Sequence, residues 1–156
     1  MGMMDRRTAL AALGAFLVLP AGAWAAGDKV VLSDAEWRRR LAPEAYTVMR
    51  HDGTEYAFSS PLDAEKRPGS YFCAGCDLAL FSSKTKYDSG SGWPSFWAPL
   101  PNATATMLDT SYGFPETEVH CRRCDGHLGH IYDDGPQPTG KRYCIDGVAL
   151  KFRPSA

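Results

Sequence analysis

A mainly β fold, antiparallel sheets preceded by short helices, is what this 156-residue sequence predicts, and three observations carry the expectation. From Gly69 onward Gly and Pro recur every few residues, and the short runs between them are aromatic or β-branched, as in strands joined by turns. Ahead of them, Ser33-Asp34-Ala35-Glu36 is a capping box, which opens a helix by satisfying free backbone N–H groups. Two Cys-x-x-Cys pairs, Cys73/Cys76 and Cys121/Cys124, sit inside the β region, where they can staple it.

The capping box starts a helix that runs to about Leu41, and Pro43, placed for a first helical turn, opens a second through Ala45 to Met49. His51-Asp52-Gly53-Thr54 breaks it in a turn. Strands are expected over Gly69 to Cys73, Leu80 to Ser82, Phe96 to Pro99 and Ala105 to Ser111, then Thr117 to Cys121, His130 to Tyr132, Tyr143 to Ile145 and Ala149 to Arg153. Beyond the two cysteine knuckles there is no internal repeat.

Composition fits one globular domain, with 44% hydrophobic and 22% charged residues. Residues 1–25 read as an export signal: Asp5-Arg6-Arg7 precedes an apolar run from Thr8 to Leu19, followed by Pro20 and small residues up to Ala25. The run is shorter than the roughly 20 residues that cross a bilayer, so a lasting membrane tether is the weaker reading. Arg6-Arg7 partly matches a twin-arginine signal, and general secretion fits equally. Residues 26–32 then form a linker and 33–155 the folded domain, placed in the periplasm. Losing Asp5, Arg6 and Arg7, a net charge of +1, takes the formal charge from −1 to −2, which argues against nucleic acid as a partner.

The five cysteines divide into two pairs and one alone, Cys144. Four thiolates in two Cys-x-x-Cys pairs are the donor set of a structural zinc ion, a closed site that leaves no position for substrate. Here 44 residues separate Cys76 from Cys121, so the fold has to bring the knuckles together. Export leaves a second reading open, in which the pairs form disulfides or a dithiol redox couple.

Cys144, preceded by Lys141 and Arg142, is the candidate nucleophile, because nearby cations favour the thiolate. Between Asp125 and Ile145 lie His127, His130, Asp133 and Asp134, the groups that could deliver a proton, orient the donor and hold a sulfur ionised. A glycine-rich segment, Gly90-Ser91-Gly92-Trp93-Pro94-Ser95-Phe96-Trp97, presents aromatic faces, with Trp93 and Phe96 as candidate substrate contacts.

From about Ser33 to Arg153 these residues resemble the B-type methionine sulfoxide reductases. The matching text is Cys73-x-x-Cys76, Lys86-Tyr87-Asp88-Ser89-Gly90, Gly92-Trp93-Pro94-Ser95-Phe96, Cys121-Arg122-Arg123-Cys124-Asp125-Gly126-His127-Leu128-Gly129-His130 and Arg142-Tyr143-Cys144. The resemblance implies a zinc-stapled β enzyme that reduces the R epimer of methionine sulfoxide in proteins and peptides. It implies that Cys144 attacks the sulfoxide sulfur, that His127 and His130 assist protonation of the oxygen, and that Trp93 packs on the methyl group. Asp134 and Arg142 match residues that set up the site.

Two departures stand out. Where many members carry a cysteine that resolves the sulfenic acid, this chain has Ser91, so an external thiol or a thioredoxin-like protein is the expected reductant. Asp146-Gly147 replaces the usual Asn-Ser, and a carboxylate two residues from the nucleophile opposes thiolate formation. A monomer is expected. The rival readings are a non-catalytic zinc-stapled peptide-binding scaffold, which has no need of Cys144, His127 or His130, and a dithiol oxidoreductase using one Cys-x-x-Cys pair.

Overall fold

The computed structural model describes residues 29–155. The expected export signal, and the linker up to residue 28, lie outside the described residues. Helix α1 (Asp34–Arg40) begins with the capping box as expected: Ser33 Oγ accepts from the Glu36 amide, and the Glu36 carboxylate accepts from the Ser33 amide at 2.8 Å. Helix α2 (Pro43–His51) ends at Asp52, whose φ of 50° turns the chain out of the helix. Trp37 from α1 and Ala45, Val48 and Met49 from α2 are buried, so both helices face the core.

The strands are β1 (Gly69–Cys73), β2 (Ala79–Ser82), β3 (Lys86–Tyr87), β4 (Ser95–Phe96), β5 (Thr104–Asp109), β6 (Glu116–Cys121), β7 (His127–Tyr132), β8 (Arg142–Ile145) and β9 (Leu150–Pro154). They form two antiparallel sheets, one ordered β2-β1-β9 and the other β3-β4-β8-β7-β6-β5. Alternation along β1 sends Tyr71 and Cys73 inward. Tyr71 and Phe81 of the smaller sheet meet Phe96 of the larger, with ring centroids 5.0 and 4.3 Å from it, so aromatic packing joins the sheets.

Two expectations about the strands need correction, and one strand, β3, was not expected. The strand expected over Phe96 to Pro99 is only Ser95–Phe96, because Pro99 and Pro101 lack the N–H groups a ladder needs. Its partner β3 is two residues long, too short to leave a pattern. Strand β7 begins at His127, three residues earlier than expected, which places both candidate histidines on one strand.

The cysteine knuckles are built alike. In each, the residue after the second cysteine is an Asp with positive φ, Asp77 at 59° and Asp125 at 54°, whose amide donates to the carbonyl of the first cysteine at 2.9 Å. β1 delivers one knuckle and β6 the other to a common point. There Cys73 Sγ lies 3.6 Å from Cys124 Sγ, and Cys76 Sγ 3.5 Å from Cys121 Sγ.

Candidate active site

Cys144 lies in the middle of the larger sheet, on β8, paired with Ser95 of β4 on one side and His130 of β7 on the other. It opens into a pocket of about 300 Å³, at the small end of the ligand-site range and suited to one side chain. His127, His130, Trp93 and Asp146 share the lining with it, and Tyr112 and Phe114 from the β5–β6 loop form part of the wall.

Two histidines three apart on a regular strand would face opposite sides of a sheet. Here the β6–β7 register shifts: Val119 pairs with Gly129 but His120 with His127, so one extra residue on β7 forms a bulge. The bulge turns both rings into the pocket, with centroids 5.4 Å apart. It depends on Gly129, whose φ is 144° and where a Cβ would sit 2.0 Å from the Cys144 carbonyl oxygen.

Each ring is held by carboxylates. His127, itself buried, places Nδ1 2.8 Å from Glu118 Oε1, and its Nε2 is 3.9 Å from Asp146 Oδ2. The His130 Nε2 lies 2.9 Å from Asp109 Oδ2 and 3.9 Å from Glu116 Oε2. Asp109 is held at about 2, first by the Ser111 amide and then by His130, so it stays ionised near neutrality.

Burial pushes the Cys144 thiol up. The Ser91 hydroxyl, 3.8 Å from Sγ, and the Arg142 charge pull the other way, and Asp146 adds to the rise. The expectation that neighbouring cations would dominate is therefore corrected: loss of water outweighs them. Lys141 is exposed and paired with Asp133, whereas Arg142, two residues from Cys144 on the same strand face, stacks 4.4 Å over Tyr132. Asp134 grips Arg142 through two 2.8 Å bonds and does not line the pocket, so its path to Cys144 runs through the guanidinium.

Trp93 lines the pocket, its indole N–H donating to the Glu55 carbonyl at 3.3 Å. Phe96, expected beside it as a substrate contact, is instead fully buried in the core. Alternation along β4 sends it to the opposite face from Ser95, where it stacks on Phe81. Ser91, Ser89 and Ser95 form a hydroxyl chain with Oγ separations of 2.8 and 2.7 Å, which ends behind Cys144.

The four knuckle sulfurs are buried and within 4.8 Å of one another. Zinc–sulfur bonds of about 2.3 Å in a tetrahedron put sulfurs about 3.8 Å apart. The observed 3.5 and 3.6 Å contacts fit that spacing, so Cys73, Cys76, Cys121 and Cys124 could hold a metal ion. None of them lines the Cys144 pocket.

The SelR domain family matches residues 41–154. The peptide methionine sulfoxide reductase MsrB of Pseudomonas putida strain W619 is 55% identical over 120 residues, covering 76% of this chain and 90% of that protein. The chain belongs to the SelR-domain family of B-type methionine sulfoxide reductases. Peptide methionine sulfoxide reductase MsrB of Leptospira interrogans is 49% identical, covering 78% of this chain and 93% of its own. The chloroplastic peptide methionine sulfoxide reductase B1 of Arabidopsis thaliana is 53% identical over 122 residues, covering 78% of this chain and 60% of that protein.

Within this family member, the sequence reading did not single out Glu118, Asp109, Glu116, Thr54 or Tyr112 as parts of the site. Glu116 and Glu118 left a usable signal: two carboxylates two apart on a strand share a face, and that face meets the histidines. Thr54, in a loop about 90 residues from Asp146, left none.

Proposed function

We propose that the chain reduces the R epimer of methionine sulfoxide in proteins and peptides, with Cys144 as nucleophile. The observation that carries this reading is the placement of one half-buried thiol in a small pocket between two carboxylate-held histidines and an indole face. Cys144 sulfur attacks the sulfoxide sulfur, electrons pass to the oxygen, and His127 or His130 helps protonate it. The hydroxyl then passes to the Cys144 sulfur as the substrate S–O bond and the new sulfur–sulfur bond break, releasing methionine and leaving a sulfenic acid on Cys144, the first reversible rung of cysteine oxidation. Arg142, held by Asp134, stabilises the ionised sulfur, and Trp93 offers the flat surface on which the sulfoxide methyl rests.

Regeneration needs an outside thiol. The other four cysteines are buried together at the knuckles, and the group beside Cys144 is the Ser91 hydroxyl. One thiol displaces water from the sulfenic acid to give a mixed disulfide, and a second releases Cys144 as a thiol. A thioredoxin-like protein or a small thiol fills that role. The knuckle cysteines would hold a structural zinc ion, which supplies folding energy and no chemistry to the pocket. The export-signal pattern of residues 1–25 supports a periplasmic site for this activity.

The test is reduction of a peptide carrying both sulfoxide epimers by the protein with excess dithiothreitol, followed by chiral separation. Selective loss of the R epimer is the expected result. Equal loss of both, or loss of the S epimer alone, contradicts the reading.

A further inference from the structure

Asp146 carries more order than its place two residues after Cys144 requires. It is buried, and its two carboxylate oxygens have different surroundings. Oδ1 accepts from the Thr54 hydroxyl and the Glu55 amide, both at 2.9 Å. Two donors occupy that oxygen, so a proton on this group has to sit on Oδ2. Oδ2 is on the pocket side, 3.9 Å from His127 Nε2, beyond hydrogen-bonding distance. The side chain thus presents one pinned oxygen to the protein and one open oxygen to the cavity that it lines together with Cys144.

We infer that Asp146 is a catalytic proton carrier in the reaction proposed above, sharing one proton with Cys144 and giving it, from Oδ2, to the sulfoxide oxygen. The inference rests on that reductase reading. The balance closes without an outside acid. The Cys144 thiol proton passes to Asp146, the sulfur–sulfur bond forms as the oxygen gains electrons, and Asp146 returns the proton to that oxygen. The protonated oxygen then passes from the substrate sulfur to the Cys144 sulfur as the sulfur–sulfur bond breaks, releasing methionine and a sulfenic acid that carries the proton, and Asp146 is again a carboxylate. His127, fixed from behind by Glu118, and His130 flank the oxygen as further hydrogen-bond donors.

The surroundings agree with a carboxyl that can hold a proton. Burial raises its affinity for one, against the opposing pull of the Glu55 amide, the Thr54 hydroxyl and the charges on His127 and His130. The other titratable groups facing it are Cys144 on β8, the buried Glu55 whose carboxylate binds the Gly147 and Val148 amides, and Tyr112 across the pocket. Asp146 raises the cost of ionising Cys144, with which it shares the pocket lining, and two acids that oppose each other's ionisation in one pocket can share one proton.

The experiment compares wild type with Asp146→Asn, which keeps the Oδ1 acceptor for Thr54 and Glu55, in single-turnover reduction of an R-sulfoxide peptide across pH. Wild type should slow at high pH as the shared proton is lost. In the variant the rate near pH 7 should fall, by about 100-fold on the usual scale for one proton-transfer group, and should rise with pH as Cys144 alone ionises. Alkylation of Cys144 by iodoacetamide, which needs no substrate, should shift to lower pH in the variant. An unshifted alkylation profile overturns the sharing. Equal alkaline slowing in both proteins overturns the carrier role while leaving the reductase reading intact, whereas failure of wild type to turn over removes both.

Discussion

Replacing Ser91 by cysteine should convert this protein into one that resolves its own sulfenic acid. Ser91 Oγ lies 3.8 Å from Cys144 Sγ, and a sulfur on that side chain reaches further than the oxygen it replaces. Disulfide bonding at about 2.05 Å then asks only for a small rotation of one or both side chains. The new bridge closes a loop spanning 53 positions, for which chain entropy gives about 4 kcal/mol of stabilisation over the reduced form. One equivalent of R-sulfoxide peptide without reductant should leave wild type heavier by one oxygen atom and Ser91→Cys lighter by two hydrogens. Urea unfolding of the variant before and after that turnover reads the stabilisation. Persistence of the sulfenic acid in the variant, with no bridge, would refute the juxtaposition of positions 91 and 144.

Other outcomes follow from the same geometry. Cys121→Ser should lose bound metal, measured by atomic absorption, together with the cooperative unfolding transition, because the remaining three thiols are left crowded without a complete ligand set. Glu118→Ala leaves the buried His127 Nδ1 unpartnered, so it should cost about 1–3 kcal/mol in stability and lower kcat with little change in KM. Gly129→Ala drives a Cβ onto the Cys144 carbonyl at a positive φ, and denaturant unfolding should show a loss of about 3 kcal/mol or more. Asp109, held at about 2 by the Ser111 amide and His130, has its affinity for protons lowered by folding. Its contribution is therefore present above the ordinary value of 3.8 and lost as pH falls through about 2. Circular dichroism of Asp109→Asn should show a shallower acid transition in that window.

The parts of this structure that follow local rules were legible in the sequence. Ser33 and Glu36 announced α1, Gly and Pro spacing announced the β region, and the knuckle spacing predicted a four-sulfur cluster even across 44 residues. What escaped depends on tertiary placement. Phe96 read as a presented aromatic because glycines precede it, yet strand alternation buried it and brought Ser95 toward the site. The cations near Cys144 suggested an easily ionised thiol, but burial, which sequence does not display, outweighs them. The bulge that puts His127 and His130 on one side was written only in Gly129, and its meaning depends on the approach of β8.

Whether Cys144 takes the oxygen from the sulfoxide is read by mass spectrometry after a single turnover without thiol, run with each epimer separately. The R epimer should add one oxygen atom to the peptide containing Cys144 and yield one equivalent of methionine, with the S epimer adding none. Methionine formed while Cys144 stays unmodified, or oxidation found on the knuckle cysteines instead, would rule out Cys144 as the oxygen acceptor.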